Sequence, residues 1–316
     1  MKDKNFMEAV GFLPPEIRTR LLSFPEQLQS ETREICLRAE RPVAVSTFQG
    51  DYFLGRDGTV SRLVPPIPYR VSRDEMNQFI RILTEYSIHS YQREINAGFI
   101  TVQGGHRAGI AGSCVYENGR ILSVNDISSV TLRIARQVKG AAENLVRTLY
   151  SGGVCSTLIA GAPASGKTTL LKDIARCLGS GLTGSFVKLS LIDERGEIAA
   201  VYRGAPQNDV GITTDVFDGY QKGEGMLIAI RSMSPRALIL DEIAGEEDAA
   251  SVRQGLNAGA AVIATVHAAS LDELYRKTHV RTLIAEGAFQ KIVILRGADA
   301  PCEVAQIAEP KELSPC

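Results

Sequence analysis

The sequence predicts an α/β protein in two parts. A smaller α+β domain covers residues 1–139, and a mostly parallel sheet with helices on both faces covers residues 140–316. Three observations predict this. The chain has 316 residues, more than one compact core usually needs. From residue 157 on, short apolar runs alternate with runs of helical periodicity, the pattern of parallel strands returned by crossover helices. Before residue 140 the strand signals are grouped together, with turn residues between them.

Residues 35–45 and 52–60 alternate in polarity and are broken by Arg41-Pro42 and Gly55, which predicts strands and turns. Val64-Pro65-Pro66-Ile67-Pro68 cannot be helix interior and reads as a connector. Ser72 and Glu75 have capping-box spacing, and Met76, Phe79, Ile80 and Leu83 then share one helical face. Residues 99–136 are β-rich and include the hairpin-like Glu117-Asn118-Gly119. Gly140 opens a helix over 141–150, and Ser151-Gly152-Gly153 ends it. Strands are then expected at 157–160, 186–192, 237–240, 261–266 and 291–295. Helices are expected at 167–178, 220–233 and 246–257, with a pair within 271–286.

Composition excludes several classes. Hydrophobic residues make up 44% and charged residues 22%, an ordinary globular balance. A net charge of -1, few aromatics and no Trp argue against an enzyme acting on DNA or RNA, so no nucleic-acid partner is expected. Cys36, Cys114, Cys155, Cys177, Cys302 and Cys316 form no C-x-x-C pair, so they read as small buried hydrophobes plus a loose C-terminal thiol in a reducing cytosol. The N-terminus has no apolar run suited to a signal peptide, and no apolar stretch reaches the ~20 residues of a membrane helix. At a membrane, a partner would have to hold this chain.

Gly161-Ala162-Pro163-Ala164-Ser165-Gly166-Lys167-Thr168 matches G-x-x-x-x-G-K-[ST], with a strand before it and a helix, beginning through Thr169, after it. The glycines allow close backbone approach, and successive N–H groups form a nest for phosphate at a helix N-terminus. Lys167 brings positive charge to the β/γ-phosphates, and the Thr168 hydroxyl is a Mg²⁺ ligand. Ala237-Leu238-Ile239-Leu240-Asp241-Glu242 delivers two carboxylates on a buried strand: Asp241 to hold Mg²⁺ and Glu242 to orient or deprotonate the attacking water. Together these motifs imply a RecA-like P-loop domain that binds ATP and Mg²⁺.

Ile192-Asp193-Glu194-Arg195-Gly196-Glu197 ends another strand at the same edge. Its acids either reach the metal through water and poise the nucleophile, or form a charged solvated rim. His267 ends the strand Ala264-Thr265-Val266-His267, where it can hydrogen-bond the hydrolytic water or the catalytic carboxylate. Arg107 and Arg133, in the first domain, read as surface arginines from spacing alone.

With these residues in view, the chain resembles the stage III sporulation protein AA family, which is similar to the ATPases of type II and type IV secretion and of twitching motility. The resemblance spans nearly the whole chain. In the first domain it rests on Phe99-Ile100-Thr101, Gly104-Gly105-His106-Arg107 and Leu132-Arg133-Ile134-Ala135-Arg136. In the second it rests on the phosphate loop, Asp193-Glu194-Arg195, Pro206-Gln207-Asn208-Asp209-Val210-Gly211, Ile230-Arg231-Ser232-Met233-Ser234-Pro235 and residues 258–267.

The resemblance places an acidic box on Asp193, Glu194 and Glu197, the catalytic glutamate on Glu242, a histidine box on His267 and nucleotide-approaching arginines on Arg107 and Arg133. It implies a hexameric ring at the cytoplasmic face of a membrane, on the mother-cell side, with membrane proteins of a secretion-like channel as partners. ATP hydrolysis would drive assembly or operation of that channel; the alternative is an ATP-gated scaffold with little turnover. The chain departs from the secretion-ATPase pattern at Asp241, where many have glycine, and at Ile243-Ala244, where an arginine often follows the glutamate. The four-cysteine zinc site of some members is missing, and Cys36 and Glu40 stand where Arg and Gly are expected.

Overall fold

The computed structural model describes residues 3–310, so Cys316 lies outside the described residues. The chain divides into two compact units, residues 1–136 and 137–316. The division falls there because each side of it is tied to its own unit. Arg136 donates to the Thr32 and Gln29 carbonyls (2.6 and 3.1 Å). Gln137 and the Asp209 backbone exchange two hydrogen bonds (2.7 and 2.9 Å).

The first unit begins with three short helices, α1 (Lys4–Val10), α2 (Pro15–Leu22) and α3 (Glu26–Glu31). The Asp3 carboxylate caps α1 by accepting from the Phe6 N–H at 2.6 Å. Strands β1 (Thr32–Arg38), β2 (Ala44–Thr47), β3 (Gly50–Leu54) and β4 (Val60–Ser61) follow, then helices α4 (Arg73–Leu83) and α5 (Gln92–Asn96). Strands β5 (Phe99–Thr101), β6 (Arg107–Glu117) and β7 (Arg120–Arg133) complete the unit. The strands form one antiparallel sheet in the order β4-β3-β2-β1-β7-β6-β5. Phe6, Ile17, Leu37, Phe79 and Leu132 meet in its core.

The capping box at α4 is formed in both directions: Ser72 accepts from the Glu75 N–H (3.2 Å), and Glu75 accepts from the Ser72 N–H (2.9 Å). Asn118 and Gly119 both have positive φ (50° and 76°), as a two-residue I′ hairpin turn requires.

The motif Gly104-Gly105-His106-Arg107 also has a structural explanation. Gly104 and Gly105 (φ 83° and 74°) turn the chain so tightly that His106 enters the core while Arg107 next to it stays partly exposed. His106 is fully buried and its Nδ1 accepts from the Ala135 N–H at 3.0 Å. Burial holds its pKa down at about 4, with Arg136 adding to the effect and Glu8 and Asp3 opposing it.

The fold therefore requires neutral His106, while the unfolded chain protonates near the ordinary pKa of about 6.5. Stability is fully present above that value and is expected to fall by roughly 3 kcal/mol as pH drops from about 6.5 toward about 4. Thermal unfolding of the wild type and His106→Gln across pH 7 to 4 tests this: the variant should lose that part of the slope. Parallel profiles for the two proteins would refute it.

The second unit contains α6 (Glu143–Tyr150), β8 (Thr157–Gly161), α7 (Lys167–Gly179), β9 (Leu189–Asp193) and the short ladder β10 (Val201–Tyr202) with β11 (Ala205–Pro206). Next come β12 (Thr214–Asp218), α8 (Lys222–Met233), β13 (Ala237–Glu242), α9 (Glu246–Asn257) and β14 (Ala261–His267). Helices α10 (Leu271–Arg276) and α11 (Thr278–Ala285) and strands β15 (Lys291–Gly297) and β16 (Ala300–Ala308) end it. Its main sheet runs β12-β9-β13-β14-β8-β15-β16, parallel except for the final hairpin pair.

Alternate residues of the central strands feed two separate cores. Val262, Ala264 and Val266 of β14 join one core with Leu238 and Leu240 of β13; Ile263 joins the other with Ala237 and Ile239. The sheet is thus covered on both faces, as its apolar strands require.

Three features differ from the sequence reading. Strand β9 starts at Leu189 rather than at 186, because Phe186 is exposed and the Val187 N–H turns back to the Leu178 carbonyl (3.1 Å). Strand β12 adds a parallel edge to the sheet, and β16 adds an antiparallel edge beyond β15. Among the described residues, no helix is long and apolar enough to cross a membrane.

Candidate functional site

The parallel strands end together at one edge of the second sheet. Register pairs His267 of β14 with Gly161 of β8, and Asp218 of β12 with Asp193 of β9. Those strand ends therefore lie along one edge, the place where open α/β sheets hold their ligands.

Between β8 and α7 the loop 161–166 reverses direction through two left-handed residues, Ala164 (φ 60°) and Gly166 (φ 88°). Ala164 is a strained non-glycine position beside the site. A Cβ at Gly161 would stand 2.3 Å from the buried Ser165 Oγ and 3.2 Å from the Leu295 Cβ, so a side chain there would force its neighbours to shift. Lys167 is buried at the start of α7 and all three of its ammonium protons are engaged: the Gly161 and Ala162 carbonyls accept at 2.9 Å each, and His267 Nδ1 lies at 3.0 Å. Burial lowers the Lys167 pKa, against the pull of Glu242 and Asp241.

Strand β13 carries a bulge. Leu240 pairs with Ala264 and Glu242 with Thr265, so Asp241 is an extra residue between them. Successive residues of a regular strand point to opposite faces; the bulge re-aims the chain, and both Asp241 and Glu242 line one cavity. The cavity holds about 390 Å³, and Lys167, Thr168, Thr169 and His267 line it too. His267 Nε2 lies 3.5 Å from a Glu242 carboxylate oxygen.

The acidic loop after β9 is divided in its roles. Asp193 is fully buried, and its carboxylate accepts from the Glu197, Ile198 and Ala199 N–H groups (2.9, 3.1 and 2.8 Å). It organises the loop. Burial raises its pKa, opposed by those N–H groups and by Lys172. Glu194 is half-exposed and pairs with Lys222 at 3.6 Å, while Lys222 also reaches Asp248 at 3.3 Å. Arg195 and Glu197, not Glu194, are the acidic-loop residues that line the cavity.

Asp241 carries a raised pKa, caused by burial first and then by the charges of Glu197 and Asp193, with Lys222 opposing. This end of the cavity therefore concentrates negative charge around a carboxylate and a threonine hydroxyl, a donor set suited to a divalent cation. Among the described residues, no group of three or more His, Cys, Asp or Glu is arranged to hold a metal alone. Mg²⁺ commonly takes one or two protein oxygens and completes its shell with water and phosphate, so Thr168 and Asp241 fit it.

The sequence reading had no signal for the wall supplied by β16. Pro301 lines the cavity, the Cys302 N–H donates to the Ser165 carbonyl at 2.9 Å, and Cys302 itself has a positive φ (67°). The hairpin end thus braces the loop 161–166. The 206–211 motif is a brace as well. Asn208 Nδ2 donates to the Ile198 carbonyl (2.7 Å), and a Cβ at Gly211 would stand 2.6 Å from the Gly179 Cα.

In the first unit, Arg107 and Arg133 stand directly opposite each other on β6 and β7. Arg107 lies over the Phe99 ring at 3.4 Å from its centroid, and Arg133 pairs with Glu34 at 2.9 Å. Like charges in register are unfavourable unless anions offset them, and Glu34 offsets one.

The model of the family described as sporulation stage III, protein AA, matches residues 8–313. The chain belongs to that family. It is 36% identical to stage III sporulation protein AA of Bacillus subtilis over 301 residues, 95% of this chain and 94% of that one. The fold is shared with the ATPase DotB of Legionella pneumophila (TM-score 0.54, 16% identity, 89% of this chain and 77% of that one). It is shared too with the pilus retraction motor PilT, solved with bound ADP (TM-score 0.55, 16% identity, 83% and 74%). The membership bears out the family resemblance read from the sequence.

Proposed function

We propose that this sporulation protein binds Mg²⁺–ATP in the cavity at the head of α7 and hydrolyses it, to drive assembly or operation of a membrane secretion-like complex during endospore formation. The observation that carries the reading is the convergence of Lys167, Thr168, Asp241, Glu242 and His267 on one cavity. The fold held in common with a named ATPase and a pilus motor supports it.

In this reading the loop from Gly161 to Thr169, through Ala162, Pro163, Ala164, Ser165 and Gly166, cradles the phosphates with backbone N–H groups. Lys167 neutralises them, and Glu242 takes or orients the proton of the attacking water. Thr168 and Asp241 would hold Mg²⁺, which supplies charge neutralisation at the phosphate oxygens when bound. Glu194 acts indirectly, tethering the acidic loop through Lys222. Arg107 and Arg133 offer paired positive charge to developing phosphate charge, in the same chain or a neighbour, within a hexameric ring held at the mother-cell face of a membrane by membrane-protein partners.

The test is Mg²⁺-ATP turnover against protein concentration, with Lys167→Ala as control. Turnover rising faster than linearly, and removed in the control, supports a site completed between subunits. Lys167-dependent binding without turnover, even with membrane partners present, favours an ATP-gated scaffold. No Lys167-dependent binding refutes the reading.

A further inference from the structure

Lys167 has three protons and three acceptors, so none is left over for a nucleotide phosphate. One contact must yield when phosphate arrives. The Gly161 and Ala162 carbonyls belong to the backbone of the phosphate loop, and moving them would dismantle the nest. His267 is different: it is a side chain, and of the three acceptors it alone lines the cavity. Its contact with Lys167 is the one in the path of the ligand.

The same contact fixes the imidazole. An ammonium has no lone pair, so His267 Nδ1 must accept and its proton must sit on Nε2. That N–H faces Glu242, 3.5 Å away. One imidazole therefore joins the phosphate-binding cation to the carboxylate proposed to handle water.

We infer that His267 is a positioning residue that competes with the nucleotide's β-phosphate for Lys167: it holds the third ammonium proton when the cavity is empty and gives it up on binding. The inference rests on the reading of the cavity as an ATP site. Two consequences follow. His267 weakens nucleotide affinity. Release of its Nδ1 also frees the ring to reorient at Glu242, so occupancy of the lysine is passed to the water-handling carboxylate.

Calorimetric titration of the full chain with ADP and with AMP tests this. His267→Ala should bind ADP about three- to tenfold more tightly than the wild type, because the competing hydrogen bond is gone. AMP, which lacks the β-phosphate, should not gain. His267→Asn, whose side-chain oxygen can replace Nδ1 as acceptor, should return ADP affinity to the wild-type value. In a Lys167→Ala background, removing His267 should change nothing.

Imidazole ¹⁵N NMR of the wild type gives an answer that needs no variant. It should report an unprotonated Nδ1 in the free protein and a changed Nδ1 environment with ADP. If ADP binding is Lys167-dependent but His267→Ala leaves it unchanged or weaker, or tightens AMP equally, the competition is overturned and the ATP-site reading stands. A free-state proton on Nδ1 also overturns it. If the wild type binds no ADP, or binds it independently of Lys167, both readings fall together.

Discussion

Glu242→Gln is expected to leave ATP affinity within about threefold of the wild type while lowering turnover by roughly 10²–10⁴-fold, the range for loss of a positioned general base. The two adjacent carboxylates are not equivalent. Asp241 is pressed by burial and by the charges of Glu197 and Asp193, the environment of a cation ligand. Glu242 is the one that faces His267 at 3.5 Å, at the cavity wall. Gln keeps the shape and the place beside His267, but it cannot take a proton from water.

Binding should therefore survive where catalysis does not. Asp241→Asn should instead weaken Mg²⁺ dependence itself. Single-turnover assays with saturating Mg²⁺-ATP, run beside equilibrium titrations, separate the two outcomes. If Glu242→Gln turned over like the wild type while Glu194→Gln did not, the catalytic carboxylate would belong to the acidic loop, and the pairing of Glu194 with Lys222 would have to break during the cycle.

The parts legible in the sequence are those specified by local pattern. Helix α9 covers the 246–257 expected from its periodicity, and the Ser72 capping box is present atom for atom. The phosphate loop is a contiguous motif whose neighbours, a strand and a helix, are its immediate neighbours in sequence. What escaped the sequence depends on distant pairing. Strand β12 has one buried residue in five, and β16 starts with Ala-Pro and buries only Ala308 fully, so neither carries a strong apolar run of its own. Both exist because β9 and β15 offer edges to pair with.

The site shows the same limit. That Asp193 would end at the sheet edge follows from its strand; that its oxygens would turn to three N–H groups of the next turn does not. The bulge at Asp241 is equally silent, yet it alone allows two consecutive acids to face one cavity. Arg107 and Arg133, far apart in sequence, become direct neighbours only through the β6–β7 register.

Gly166→Ala should abolish nucleotide binding, weakening it by at least about 100-fold, and should destabilise the second unit by roughly 2–4 kcal/mol. Two costs combine. The residue has φ 88°, and a left-handed conformation costs an L-residue about 1–2 kcal/mol. A Cβ there would also stand 2.6 Å from the Cys302 Sγ and 2.7 Å from the Cys302 backbone nitrogen. That nitrogen is fixed, because its N–H donates to the Ser165 carbonyl. Either the loop rotates, turning its N–H groups away from the phosphate, or β16 is pushed off and the brace on the loop is lost.

A second substitution tells which atom matters. Cys302→Gly removes the sulfur and relaxes the positive φ at 302, yet leaves the backbone nitrogen in place. Added to Gly166→Ala, it should recover part of the stability and none of the nucleotide affinity. Thermal unfolding and ADP titration of the single and double variants would decide it. Restored ADP binding in the double variant would mean that the thiol, and not the backbone of β16, sets the position of the phosphate loop.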